Sequence, residues 1–358
     1  MLEENRQKPR AIVLTNGMLS LPDAKTAHGL IRGTERFEIV AVIDQTHAGR
    51  DAGEVLDGIR RGIPVLETVD DAITQFKPIG FCIIGVATVG GLLPAHFLPV
   101  IENCIRNGIS VVNGLHEFLT EKPSLVSLAS THGVTLTDIR KPKPREALHF
   151  WTPEIRSLKT PVIAVIGMDC AIGKRTTCRM IRQACESAGI RAEMIYTGQT
   201  GWLQGGRFGF IVDSTLNDFI SGELAHAILS CREALNPDII LLEGQSALRN
   251  PSGPCGSELL VSGNARHTIL VYAPKRIYYE DNPSWGEIPS IESEIELIRQ
   301  YGSRVIALAL NTADCTPVEA REFQRQWEDR LGIPVLLPIL EGVSVIVDDL
   351  KKIIQAAQ

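Results

Sequence analysis

The chain has 358 residues, 44% of them apolar and 22% charged, which is enough material for two cored domains. Its formal charge of -6 leaves no surplus of basic residues to track a nucleic-acid backbone or an anionic membrane surface, so small molecules are the expected partners. The eight cysteines (Cys82, Cys104, Cys170, Cys178, Cys185, Cys231, Cys255, Cys315) are scattered, form no CxxC pair and read as reduced core thiols.

The opening segment MLEENRQKPR carries acidic residues ahead of a short apolar run, unlike a signal peptide. No apolar stretch reaches about 18 residues. The longest candidate, residues 333–347, is broken by Pro334, Pro338, Glu341 and Gly342. These features lead us to expect a soluble cytoplasmic protein.

Strand-like apolar runs fall at residues 11–15, 39–43, 81–86, 109–113 and 134–137, alternating with helical patterns. The segment 140–145, RKPKPR, is charged and punctuated by proline, so it reads as a linker. The alternation restarts at 162–166, 192–197, 239–242, 268–271, 305–310 and 335–337, in runs almost continuously apolar, as strands covered on both faces should be. The expected fold class is α/β. It comprises two three-layer domains with parallel sheets, a Rossmann-like 1–145 and a larger P-loop NTPase-like 146–358.

In the first half, Asn16 and Gly17 follow the first strand and Asp44 ends the second, where an acid can bind a ribose in a dinucleotide fold. The glycine fingerprint of that fold is absent, so no NAD is expected. Gly85, Gly90 and Gly91 follow the third run, and Asn113 and His116 the fourth, and all of them are candidates to line a cleft.

The second half opens on a strand, a turn and a helix, PVIAVIGMDCAIGKRTTCRMIRQACESAG. Glycines let backbone N-H groups converge on phosphate oxygens at a helix start, and Lys174 adds a cation. The candidate phosphate-binding residues are Gly167, Asp169, Cys170, Ala171, Ile172, Gly173, Lys174, Arg175, Thr176 and Thr177. Two features depart from the ordinary GxxxxGK[ST] pattern: five residues separate Gly167 from Gly173, and Arg175 stands between Lys174 and Thr176. A metal-holding hydroxyl would have to come from Thr176.

Thr197, Gln199 and Thr200 in TGQTGWLQGG end the next strand and are expected to meet substrate, together with Asp213 and Asp218. Glu243 ends the strand DIILLE and is the candidate metal ligand, the alternative being a solvated carboxylate. Residues 250–260, NPSGPCGSELL, form a turn-rich connection that reads as a lid or partner contact. Asn311 and Asp314 occupy a place where many P-loop proteins read a base, or they simply form a turn.

With these residues in view, the chain resembles the DUF1611 family through GMDCAIGKRTT, YTGQTGW, LLEGQSAL and the Arg140-Lys-Pro junction. Its second half is similar to dethiobiotin synthetase. The resemblance implies a Rossmann-like domain followed by a P-loop domain, with Lys174 on phosphate and Glu243 on metal. Some DUF1611 members are described as N-acetyltransferases of D-amino acids, D-glutamate especially. That resemblance implies acetyl-CoA as donor, a small amino-acid acceptor and a base among Asp213, Asp218, His226 and Glu243. It would place the substrate carboxylate near Arg249, Arg207 or Lys275. The alternative is an ATP/Mg²⁺-dependent ligase or kinase, or a nucleotide-binding module without chemistry. A homo-oligomer is expected on general grounds.

Overall fold

The computed structural model describes residues 8–357. The signal-peptide reading concerns residues that lie mostly outside that range. Among the described residues, no helix is long and apolar enough to cross a membrane. The described chain forms two compact units. One runs up to Pro142 and includes Gln199–Gly205; the other holds Lys143–Gly198 and the residues from Gly206 onward. The chain thus passes between units at 142/143, not at the expected 145/146, and the segment 199–205 joins the first unit.

The first unit is a parallel sheet of β1 (Arg10–Leu14), β2 (Glu38–Ile43), β3 (Val65–Leu66), β4 (Phe81–Ile84), β5 (Ser110–Asn113) and β6 (Leu136–Asp138). Their spatial order is β3-β2-β1-β4-β5-β6, the Rossmann order. Helices α1 (Lys25–Arg32), α2 (Ala52–Asp57), α3 (Val69–Phe76), α4 (Leu98–Arg106) and α5 (Pro123–His132) connect the strands. Side chains alternate across β1. Ile12 and Leu14 enter one apolar cluster with Ile84 and Ile101, while Ala11 and Val13 enter another with Leu30 and Val42. Both faces are therefore covered, which is why these strands read as unbroken apolar runs.

In the second unit the sheet is β7 (Val162–Gly167), β8 (Ala192–Tyr196), β9 (Phe208–Gly209), β10 (Ile239–Glu243), β11 (His267–Tyr272), β12 (Arg304–Leu310) and β13 (Val335–Leu336). The order is β13-β12-β11-β7-β10-β8-β9, and every pairing is parallel. The later helices are α6 (Lys174–Ser187), α7 (Gln199–Leu203), α8 (Asn217–Leu235), α9 (Ser257–Val261), α10 (Ile291–Gln300), α11 (Pro317–Leu331), α12 (Pro338–Glu341) and α13 (Val347–Ala357). Of these, α7 packs within the first unit. Placing β10 between β7 and β8 sets the carboxyl ends of these three strands side by side, which positions the site described next.

Candidate functional site

Strand β7 ends at Gly167 and α6 begins at Lys174, so residues 168–173 form the strand-to-helix loop in which the spacing places the candidate phosphate site. The loop closes through two left-handed positions, Ala171 at φ 53° and Gly173 at φ 97°. No side chain caps α6 and its first turn holds no acid, so the positive end of the helix is left for an anion. Lys174 passes through a slot that only glycine leaves open: a Cβ on Gly167 would lie 3.0 Å from its Cγ and Cδ. Its ammonium donates to Asp169 O at 2.5 Å. Burial pushes Lys174 down to about 8.

Glu243, at the end of β10, is buried beside this slot. Its carboxylate accepts the Thr197 N-H at 3.1 Å and lies 3.7 Å from the Arg175 guanidinium. Burial raises its pKa, and the charge of Arg175 together with the Thr197 amide opposes that rise. Thr197 Oγ1 donates to Glu243 O at 2.7 Å and accepts from Gln245 Nε2 at 3.0 Å. The expected substrate residue Thr197 is therefore a strut between β8 and β10. A Mg²⁺ ion fits this arrangement poorly. The hydroxyl that ordinarily holds the ion directly follows the lysine, and here that place belongs to Arg175, which already offsets the one acid at the strand end.

Asp169, expected on phosphate, turns its carboxylate inward. Oδ1 accepts from Asn250 Nδ2 at 3.0 Å, and Oδ2 from Arg276 Nη1 at 2.9 Å and Glu280 N at 2.8 Å. Arg276 also donates to Cys170 O at 2.9 Å, so two distant residues pin the loop. Asp169, Cys170 and Glu280 bring ligand atoms within 4.8 Å of one another, but the guanidinium on Asp169 competes with any metal there. Asn250 is fully buried, so the start of the 250–260 connection is a brace on the phosphate loop. Arg276 carried no local sequence signal, and Asn250 stood out only as the first residue of that turn-rich connection.

Other expected site residues go elsewhere. Gln199 and Thr200 are buried in α7, and Gln199 Oε1 accepts from Arg140 at 3.1 Å. Asp213 and Asp218 are exposed, in a short 3₁₀ turn and the first turn of α8. His226 stacks on His149, ring centroids 3.6 Å apart, and burial followed by the neighbouring His149 holds its pKa below the ordinary value. His149 Nδ1 meets the buried Glu223 at 2.8 Å, and Lys143 Nζ reaches the same carboxylate at 2.6 Å. This cluster was invisible in the sequence because its members lie 74 and 80 residues apart.

The three cations suggested for a substrate carboxylate are engaged by acids. Arg249 pairs with Glu294, Arg207 with Glu193 and Lys275 with Glu319. Asn311 Oδ1 accepts from Ala313 N at 2.9 Å, closing a turn in which the exposed Asp314 has φ 63°. In the first unit, Asp44 is not turned toward a ribose. Its Oδ2 accepts from Thr15 Oγ1, Gly17 N and Leu19 N, and its Oδ1 from Thr46 N and His47 N. Asn16 donates to His96 O, and Asn113 ties Leu115 N, Glu117 O and Asp138 together. Gly85 is required by packing, since a Cβ there would lie 2.6 Å from Val13 Cγ1.

Comparison with known proteins agrees with this division. The family model for a domain of unknown function, DUF1611, described as a P-loop domain, matches residues 149–347. Its N-terminal companion, described as Rossmann-like, matches residues 45–142. A protein named D-glutamate N-acetyltransferase from a Pseudoalteromonas species is 30% identical over 274 residues, covering 75% of this chain and 80% of its own. One of the same name from Tritonibacter scottomollicae is 28% identical over 280 residues, with the same shares covered. A crystal structure of a DUF1611 family protein from Anabaena variabilis is similar with a TM-score of 0.88 at 28% identity, covering 96% of this chain and 100% of its own.

Proposed function

The chain belongs to the DUF1611 family, and on that premise we propose that it is an acetyl-CoA-dependent N-acetyltransferase whose acceptor is a D-amino acid of the glutamate type. The observation that carries the reading is the Arg175–Glu243 pair. It sits beside a phosphate loop that keeps its glycines, its lysine and its helix start, yet it replaces the ordinary metal-holding set with a fixed guanidinium. A loop of that kind suits phosphates that are gripped and left intact, which is what CoA presents. The names of the two relatives support the same reading.

In this reading the amides of the 168–173 loop and the Lys174 ammonium hold the phosphates of CoA, and the thioester supplies the acyl group. Attack on its carbonyl needs an uncharged amine, so an unprotonated base must accept the ammonium proton. His226 is such a group in the second unit, because burial and His149 favour its uncharged form.

The test is a pair of measurements on the full chain: calorimetry with acetyl-CoA and with ATP-Mg²⁺, and release of CoA thiol with D-glutamate as acceptor. We expect acetyl-CoA to bind, thiol to be released only with the acceptor present, and Lys174→Ala to weaken acetyl-CoA by at least about tenfold, the cost of one charged contact. Tight binding of ATP-Mg²⁺ with no response to acetyl-CoA would overturn the proposal in favour of an ATP-dependent enzyme.

A further inference from the structure

We infer that the proton acceptor in the proposed acyl transfer is His149 Nε2, with Glu223 as the residue that positions it; the inference rests on the acetyltransferase reading above. That reading calls for an unprotonated base, and the second unit stacks two imidazoles, His149 and His226, with ring centroids 3.6 Å apart and planes within 6° of parallel. The hydrogen bonds around them decide which ring serves.

Glu223 is buried, with 1% of its side chain exposed. Burial works against its charge, but hydrogen bonds from Lys143 and His149 outweigh that cost and hold its pKa below the ordinary carboxylate value. An ionised carboxylate can only accept. In the 2.8 Å contact between His149 Nδ1 and Glu223 Oε1, Nδ1 therefore carries the hydrogen. The uncharged ring then keeps its lone pair on Nε2, which has no hydrogen-bond partner among the described residues. His149 N donates to the same oxygen at 2.9 Å and Lys143 Nζ to Oε2 at 2.6 Å, so ring, backbone and carboxylate are tied into one unit. The His149 side chain is 43% exposed, so small molecules reach the ring. A carboxylate that fixes the tautomer of a partly exposed histidine is the arrangement that prepares a general base. His226 has no such partner, since neither of its ring nitrogens is hydrogen-bonded among the described residues. Its part is the flat support that sets the plane of the His149 ring.

The place of this pair in the fold agrees. Because β8, β9 and β10 are parallel, α8 has to return from the carboxyl ends of the strands to their amino ends. Glu223 lies twelve residues before Leu235, the last of α8, which is about 18 Å of helix. The five residues of β10 span about 17 Å. Glu223 and the ring bonded to it thus lie at the level of the carboxyl ends of the strands, the end that carries the phosphate loop. The arm of CoA carries its thioester away from its phosphates, so the base need not adjoin Lys174.

Two protons leave the acceptor nitrogen during the transfer. Nε2 takes the first from the ammonium and passes it to solvent. It takes the second as the C–N bond forms and the C–S bond breaks, and returns it to the departing thiolate as CoA thiol.

The experiment joins a measurement on the resting protein to kinetics. Nitrogen-15 NMR of the full chain should show the uncharged His149 ring with hydrogen on Nδ1 and a bare Nε2. Hydrogen on Nε2 overturns the assignment whatever the chain catalyses. In release of CoA thiol from acetyl-CoA with D-glutamate, His149→Gln keeps a donor for Glu223 but offers no base, and should lower kcat at least about hundredfold. Glu223→Gln, which keeps the shape and removes the charge, should lower kcat at least about tenfold with KM changed less than about twofold. Added imidazole should restore part of the rate to His149→Ala, as it would not for a histidine that only braces the fold. A wild-type chain that releases no thiol overturns the acetyltransferase reading and the base with it. Wild-type release that His149→Gln retains, or that His226→Gln lowers more than His149→Gln does, overturns the assignment to His149 alone.

Discussion

Lys174 must carry charge where water cannot help it. Taking the ammonium out of solvent lowers its pKa to about 8, despite the nearby Asp169 and Glu243 carboxylates. The sign of the consequence is fixed. A lowered lysine pKa means that the unfolded chain binds more protons between about 8 and the ordinary value of 10.5, so the burial penalty is felt below pH 8 and relieved above it. Anion binding runs the other way, because only the protonated form attracts phosphate. On the function proposed above, affinity for acetyl-CoA should fall as pH rises from 7 to 9.5, approaching tenfold per unit above pH 8. Lys174→Arg, whose guanidinium does not titrate in this range, should flatten the profile. Calorimetric titrations at several pH values measure it, and a flat wild-type profile would remove Lys174 from the anion's contacts. At the residue scale, sequence disclosed only what was contiguous. Gly167, Gly173 and Lys174 could be named because their chemistry lies in one short run. Asp44 was read at a strand end and Asp169 in the loop after β7, and spacing alone could not tell a carboxylate facing a ligand from one satisfied by protein amides and side chains.

Among the elements, the long strands were legible, as were the short β6 and β13, whereas β3 and β9 were not. β7 and β12 announce themselves as runs of apolar residues buried on both faces. β3 and β9 have two residues each, too few to establish any period. The glycine after β10 shows how tightly these elements are fitted. Gly244 donates its N-H to Val165 O at 3.0 Å, holding the end of β10 against β7. A Cβ there would lie 2.4 Å from Val165 O and 3.2 Å from Lys174 Cδ. Gly244→Ala therefore has to push the strand ends apart and crowd the lysine, at a cost of about 1–3 kcal/mol by overpacking. It should lower the denaturation midpoint and weaken acetyl-CoA together. Gly253→Ala, which meets nothing within 4 Å, is the matched control and should change stability by less than about 0.5 kcal/mol. Equal stability of the two variants would mean that the strand ends are looser than the contacts indicate.

On the scale of the whole molecule, the order of the chain and the order of the cores do not coincide. Each sheet has an apolar cluster on either face, two in each unit. The proline-rich linker correctly marked where one alternation of strands and helices stops and the next begins. It gave no hint that α7, which follows β8 in the second half, completes the first unit. The evidence for that lies in tertiary contacts that no local pattern encodes. Leu203 is fully buried in the cluster with Val13, Leu30 and Val42. Gln204 Nε2 donates to Gly29 O at 2.7 Å and Gly33 O at 3.0 Å, capping the end of α1, and Trp202 lies under the Arg36 guanidinium at 4.1 Å. A fragment of residues 8–142 lacks all of these. It exposes the apolar wall that Leu203 covers, worth about 1.5–3 kcal/mol for the burial of one leucine, and leaves two carbonyls at the end of α1 without their amide partner. Since a domain's whole stability is only about 5–15 kcal/mol, that fragment should unfold at a distinctly lower denaturant concentration and with a shallower slope than the same unit in the full chain. Rejoining residues 199–205 through a flexible linker should restore much of the loss, and Leu203→Ala in the full chain should cost about 2–5 kcal/mol. A fragment 8–142 that unfolds as sharply and as late as the intact unit would show that α7 is an ornament on the first core and not a part of it.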